Sequence, residues 1–188
     1  TDTLEVLSPR YVSTVDSGNL AASLLTAARA MEEEGEGELS SRLYSLARGM
    51  DFAALYDSER KLFSIGYDGD RCEMSSSWYD LLASEARLTS LVAIALGQVE
   101  HKHWFSLGRL MAPVCGRSLV SWSGTMFEYL MPVIFTGPVP GTLLNESYDS
   151  AVKAQRRYSG GQIWGISESG YYEFDRGMYY QYRAFGIQ

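Results

Sequence analysis

Apolar side chains recur at helical spacing along much of the chain, and the longest such run spans Trp78 to Leu96, WYDLLASEARLTSLVAIAL. With an advance of about 100° per residue from Leu81, the side chains Trp78, Leu81, Leu82, Leu88, Val92 and Leu96 fall within about a third of the circumference. The pattern predicts one long helix. Glu85 lies in the middle of its apolar stripe. A carboxylate on a core-facing line loses hydration, so its pKa rises unless a cation or several donors meet it. Such a group is a candidate for chemistry; the structural alternative is a buried Glu paired with an Arg from elsewhere or bonded to a neighbouring helix end.

The other elements are organised around this one. An extended lead-in passes Pro9, and Asp16 or Ser17 caps a first helix carrying Leu20, Leu24, Ala27, Ala28 and Met31 at helical spacing. Gly35 and Gly37 break it. A second helix is predicted from about Leu39, with Leu43, Leu46 and Met50. The period then changes: KLFSIGY reads as a strand, closed by Asp68-Gly69-Asp70. Ser77 and Asp80 stand at capping-box spacing before the long helix, and Gly97 ends it. A short helix follows in EHKHWFSLGRLM. Its His101 and His103 would point about 200° apart, cannot share a metal, and read as surface residues. RSLVSWSG is a short extended piece. TMFEYLMPVIF begins a helix bent or stopped at Pro132. Thr125 and Glu128 have capping-box spacing, which accounts for Glu128 structurally as well as a catalytic role would. LLNESYDSAVKAQRRYS is the last clear helix. The remainder is aromatic and punctuated by Gly, without a clean period, and long irregular stretches of this kind often carry function. Glu168 lies there, between Trp164 and the Tyr171-Tyr172 pair. Helices joined by short extended loops that carry an aromatic and an acid are what part of an α/α barrel would look like, with a site built from loops at one end.

Composition narrows the function. At 188 residues the chain is one domain or a piece of a larger one, and an apolar fraction of 46% supports a core. A net charge of −7 with scattered basic residues argues against nucleic acid as a partner. Cys72 and Cys115 are too few for a disulfide framework or a four-thiolate metal site and read as unpaired buried thiols. No apolar run approaches the roughly 20 residues of a membrane span. The start, Thr-Asp-Thr, is not that of a signal peptide and suggests a piece of a longer protein. No H-E-x-x-H, P-loop or G-x-S-x-G occurs. Thirteen Tyr, seven Phe and four Trp give an aromatic share of 13%, above the usual, and many sit beside Gly, Ser, Asp or Glu. Aromatic faces with polar neighbours suit a pyranose, which has an apolar face and a hydroxyl rim; an aromatic-rich core explains them equally.

Six segments carry a more specific signal. YVSTVDSGNLAASLL, LFSIGY, WYDLLASEARLTS, HWFSLGR, SWSGTMFEYLMP and WGISESGYY, in this order, resemble the glucoamylase-like region of cyclic β-1,2-glucan synthases, from about Tyr11 to Gln188. The resemblance implies a very large bacterial inner-membrane enzyme. In it a glycosyltransferase part builds linear β-1,2-glucan from UDP-glucose and a phosphorylase-like part trims it. The glucoamylase-like region is an (α/α)6 toroid assigned the transglycosylation that closes the ring. Related toroids include endo-β-1,2-glucanases. On this resemblance residues 1–188 are a single fragment of such a domain, mainly α: a partial (α/α)6 toroid-like helical array with short β hairpins and loops at the site end. The implied partners are a β-1,2-glucan oligosaccharide and the remaining domains of the parent enzyme. The implied location is the cytoplasmic side of the inner membrane, with the fragment itself soluble. No metal or organic cofactor is implied for this region. The chain departs from the family in DGDRCEMSSS, in RYSGGQIWG and in length, since it supplies about half of twelve helices. A half-toroid exposes apolar flanks, which favours self-association.

The family's acidic motifs map onto Glu85, Glu128 and Glu168, with Asp16 in STVDSGN as a fourth candidate. Glycoside cleavage needs one protonated and one ionised carboxyl group in different environments. The expected pair is Glu85 with Glu168, either being acid or nucleophile; Glu128 is the reserve, positioning a hydroxyl or water. Trp78, Tyr79, Trp122, Trp164 and Tyr171 are candidate glucose platforms or rim donors. Two other readings stay open. The site could hydrolyse β-1,2-glucan, or the piece could be a non-catalytic glucan-binding or scaffolding segment. In the last case Glu85 should be buried with a cation, and Glu128 and Glu168 far from it.

Overall fold

The computed structural model describes residues 5–6, 8–170 and 172–187, which form two compact units. The first comprises Thr1–Asp80 and Ala86–Leu107, the second Leu81–Glu85 and Gly108–Gln188.

In the first unit a short strand β1 (Tyr11–Ser13) runs into α1 (Thr14–Glu33), followed by α2 (Gly37–Arg48). Ser13 caps α1, accepting the Asp16 backbone N–H at 3.2 Å. The helix therefore starts ahead of the expected caps, and Asp16 sits exposed in its first turn. Next come β2 (Tyr56–Asp57), β3 (Leu62–Ser64), β4 (Gly66–Asp68), β5 (Glu73–Met74) and β6 (Trp78–Tyr79), then α3 (Arg87–Ala95) and α4 (Lys102–Ser106). The predicted KLFSIGY strand turns a corner at Ile65, so that β3 joins the sheet β2-β3-β6 and β4 joins β1-β4-β5. Ala21, Ala22 and Ala28 of α1, Ala47 of α2, Phe63, and Leu88, Val92 and Ala93 of α3 are buried. Small residues on α1 let its neighbours approach closely. A Cβ on Gly18 would stand 2.7 Å from the Thr89 Cα of α3.

The second unit contains β7 (Met111–Ala112), β8 (Ser118–Leu119), α5 (Met126–Leu130), α6 (Val133–Thr136), α7 (Leu143–Tyr158), β9 (Glu168–Gly170) and β10 (Tyr182–Ala184). β7 pairs with β8 and β9 with β10. The helix expected to bend at Pro132 does so, splitting into α5 and α6. Leu119, Tyr129, Tyr148, Ala151 and Ala154 are buried together with Leu82 and Ala83 of the 81–85 segment.

The expected partial (α/α)6 toroid is not what the chain forms. A ring of that kind needs long helices packed side by side. α1 packs on α2 in that way, but α3, α4, α5 and α6 have nine, five, five and four residues. Four small sheets lie between them. Aromatic side chains such as Tyr56, Phe63, Trp78 and Tyr79 favour extended backbone, and strand pairing satisfies its polar groups.

The long helix from Trp78 is corrected for the same reason. Tyr79 pairs with Phe63 and Trp78 with Ser64. Leu82 N–H then donates to the Gly108 carbonyl at 3.0 Å, and helical geometry begins only at Arg87. The Ser77–Asp80 capping box is not formed there. His103, expected on the surface, is fully buried. Its ring meets the Tyr56 and Phe63 rings edge-on at 5.3 and 5.1 Å. Cys72 and Cys115 are free, but Cys72 is exposed rather than buried. Among the described residues no helix is long and apolar enough to cross a membrane.

Candidate active site

Three acids converge in the second unit. Glu128 is the third residue of α5, and its carboxylate folds back over the turn that leads into the helix. The capping box predicted with Thr125 is complete. The Trp122 N–H donates to Oε1 at 2.9 Å, and the Thr125 N–H to Oε2 at 3.1 Å. The Ser123 hydroxyl donates to Oε2 at 2.6 Å and the Ser121 hydroxyl at 3.2 Å. With 3% of its surface exposed, Glu128 is the acceptor around which residues 121–125 are wound. That turn holds Trp122 at the surface, half of its area exposed.

Glu168 opens β9 and is half-buried. Each of its oxygens meets one hydroxyl: Thr125 Oγ1 lies 3.1 Å from Oε1, and Ser167 Oγ lies 2.7 Å from Oε2. Both hydroxyls are themselves oriented by the first turn of α5. Ser167 Oγ accepts the Phe127 N–H at 3.0 Å, and Thr125 Oγ1 accepts the Glu128 N–H at 3.2 Å. With their lone pairs engaged by N–H groups, their protons point to carboxylates. Thr125 Oγ1 is also 3.2 Å from Glu128 Oε2, so the Glu128 and Glu168 oxygens lie within roughly 6 Å of each other, two hydrogen bonds end to end. The single hydroxyl proton serves one acid at a time. Glu128 has other donors, which leaves that proton to Glu168.

Glu85 lies in the turn before α3, its carboxyl half-buried. Burial pushes its pKa up, and the neighbouring Glu128 and Glu168 carboxylates push it further; its own backbone N–H and the Ser84 hydroxyl, 3.3 Å away, oppose the rise. The charges that raise it are those of Glu128 and then Glu168. Tyr182 belongs to the same cluster. Ala184 stands opposite Glu168 and Tyr182 opposite Gly170, so Tyr182 is a diagonal neighbour of Glu168 on one face of the β9–β10 ribbon. Its phenol pKa is raised by burial, then by Glu168 and Glu85.

The other candidates are distributed differently. Trp164 is exposed in the same unit, on the segment leading to Glu168. Asp16, Trp78 and Tyr79 belong to the first unit. One face of Trp78 is already covered by the Arg60 guanidinium, 4.3 Å from the ring centre. Tyr171 lies outside the described residues. A cavity of about 430 Å³ in the first unit is lined by Val12, Met50, Phe52, Leu55 and Tyr67, with Asp51 as its carboxylate, and has no acid pair. Among the described residues no group of three His, Cys, Asp or Glu could hold a metal ion.

Pattern reading missed Ser167 and Gln155. Gln155 is 1% exposed and binds the backbone of residues 165 and 166. The signal was present, since Gln155 falls at helical spacing from the buried Tyr148 and Ala151, as a polar residue on an apolar line.

No family model matches the chain. A relative, the cyclic beta-(1,2)-glucan synthase NdvB of Rhizobium meliloti (strain 1021), is 41% identical over 195 residues, covering 94% of this chain and 7% of that protein. Over nearly its whole length, therefore, the chain with this acid cluster is similar to a small part of a cyclic β-1,2-glucan synthase.

Proposed function

We propose that the second unit cleaves β-1,2-glucan and passes the glycosyl group to a sugar hydroxyl, closing a ring, with Glu85 as general acid and Glu168 as nucleophile. The observation that carries this reading is the unequal surroundings of the two carboxyl groups. Glu85 is desolvated beside other carboxylates, which favours the protonated form needed to release a leaving oxygen. Glu168 meets a hydroxyl at each oxygen, the environment of an acceptor-only carboxylate aimed at an anomeric carbon. Glu128, saturated with donors, holds the turn and its Thr125 hydroxyl in place. Similarity to part of a protein named for cyclic β-1,2-glucan synthesis supports the substrate class and a place within a larger enzyme. Exposed Trp122 and Trp164 offer apolar faces for glucose units.

The test is product mass after the full-length protein meets linear β-1,2-glucan. A product one water lighter than the matching linear chain is cyclic. Glu85→Gln and Glu168→Gln should each lower its formation on the order of 10²-fold or more. Undiminished ring formation by both variants would refute the assignment, and shorter linear products from the wild type would make the unit a hydrolase.

A further inference from the structure

The chain between the end of α7 and Glu168 has little to hold it. Gly160, Gly161 and Gly165 take positive φ, and Ile163 is 96% exposed. Beyond the local turn that joins Ser159 to Gln162, this stretch is attached to the Gln155 side chain, about one turn before the end of α7. The Gln155 Oε1 accepts the N–H groups of Gly165, at 3.1 Å, and of Ile166. Its Nε2 donates to the Ile166 carbonyl at 2.8 Å. One amide thus serves three backbone groups of two consecutive residues. The Ile166 carbonyl also accepts the Met126 N–H at 3.1 Å, so the same peptide is tied to the first turn of α5. With that peptide fixed, only the torsions of residues 166–168 separate it from the Glu168 carboxylate, and Ser167 takes the Phe127 N–H on the way.

We infer that Gln155 is a positioning residue for Glu168: its amide anchors the 165–166 backbone so that the Glu168 carboxylate meets the Thr125 and Ser167 hydroxyls. The inference rests on the reading of Glu168 as a reacting carboxylate. Gln155 itself touches no carboxylate of the cluster. It acts by fixing where β9 begins.

The experiment uses the full-length protein and linear β-1,2-glucan, comparing Gln155→Leu, Gln155→Glu, Ser167→Ala and Glu168→Gln. Gln155→Leu removes all three bonds. It should lower kcat on the order of 10²-fold, the effect of a reacting group misplaced by about an ångström, with KM within about threefold. Rates are taken per folded protein, so loss of fold alone leaves kcat unchanged. Gln155→Glu keeps the shape and one acceptor oxygen but sets a second oxygen against the Ile166 carbonyl, and should fall between. It also serves if the Leu variant does not fold. Ser167→Ala removes a Glu168 donor directly and should also lower kcat; combined with Gln155→Glu, it should add less than the two separate effects predict, which a purely structural role of Gln155 would not produce. If Glu168→Gln abolishes activity while folded Gln155→Glu keeps wild-type kcat, or its effect simply adds to that of Ser167→Ala, the inference fails and the functional reading stands. If Glu168→Gln is fully active, the functional reading fails, and the inference with it.

Discussion

Burial moves the pKa values of Glu85 and His103 in opposite directions, and in each case it favours the neutral form. Burial lowers the His103 pKa, and the Lys61 carbonyl at 2.7 Å opposes that. A carbonyl only accepts, so Nδ1 carries the proton, and Nε2 takes the Ser90 hydroxyl at 2.8 Å. His103 is thereby a satisfied core residue. Glu85 is raised instead, so the folded state binds a proton at a pH where the unfolded chain has released it. Stability associated with Glu85 is then complete below the unfolded Glu value of about 4.3 and is lost as pH rises through the folded pKa. Glu85→Gln should therefore be more stable than wild type near neutral pH, with the advantage vanishing toward pH 4. Denaturant melts across that range measure it. A structural Glu held by a cation would give the opposite sign. A stabilising change that also removes activity is the mark of a site that trades stability for chemistry.

Among the elements, α1 and α5 show how local signals survive or fail. The α5 capping box was legible because both partners lie within one turn. The α1 start was misplaced because several residues there are suitable caps, and the choice of Ser13 depends on β1 pairing with β4, residues distant in sequence. Helix contact leaves its own trace. Gly18 faces the Thr89 backbone, and Thr89 Oγ1 donates to the Thr14 carbonyl at 3.0 Å. Gly18→Ala should destabilise the first unit by about 1–3 kcal/mol, despite the better helix propensity of Ala, because the added methyl meets backbone that cannot rotate away. Thermal melts decide this, and an unchanged or raised Tm would show that α1 and α3 separate at little cost.

At the scale of the whole molecule, exposed apolar side chains stand against net charge. Ile163, Ile134 and Phe105 are 96%, 80% and 71% exposed, while the chain carries −7. Burying such side chains against a second copy is favourable, and like charge opposes it until salt screens the repulsion. The 188-residue chain alone should associate, and more strongly at high salt than at low. Sedimentation velocity at both ionic strengths reads this, and a monomer at every concentration and salt would contradict it. The division into two units, with 81–85 packed in one and its flanks in the other, is a property of this scale. Nothing in the periodicity of WYDLLASEARLTS marks it.

Helix positions α2, α5 and α7 and the break at Pro132 follow from the sequence by itself, because spacing, caps and Pro act within a few residues. The acids Glu85, Glu128 and Glu168 were grouped by the resemblance their segments carry, not by spacing. Only the tertiary structure decided that Trp78-Tyr79 is a strand, that Glu85 sits in a turn, that His103 is core, and that short helices and small sheets replace the expected ring. Each depends on a partner far along the chain: Phe63 for Tyr79, Gly108 for Leu82, and Lys61 for His103. A backbone group that finds such a partner leaves the helix its own period would favour. The gathering of Glu85, Glu128 and Glu168, and the Gln155 amide that fixes the approach to the last, are products of the same long-range pairing.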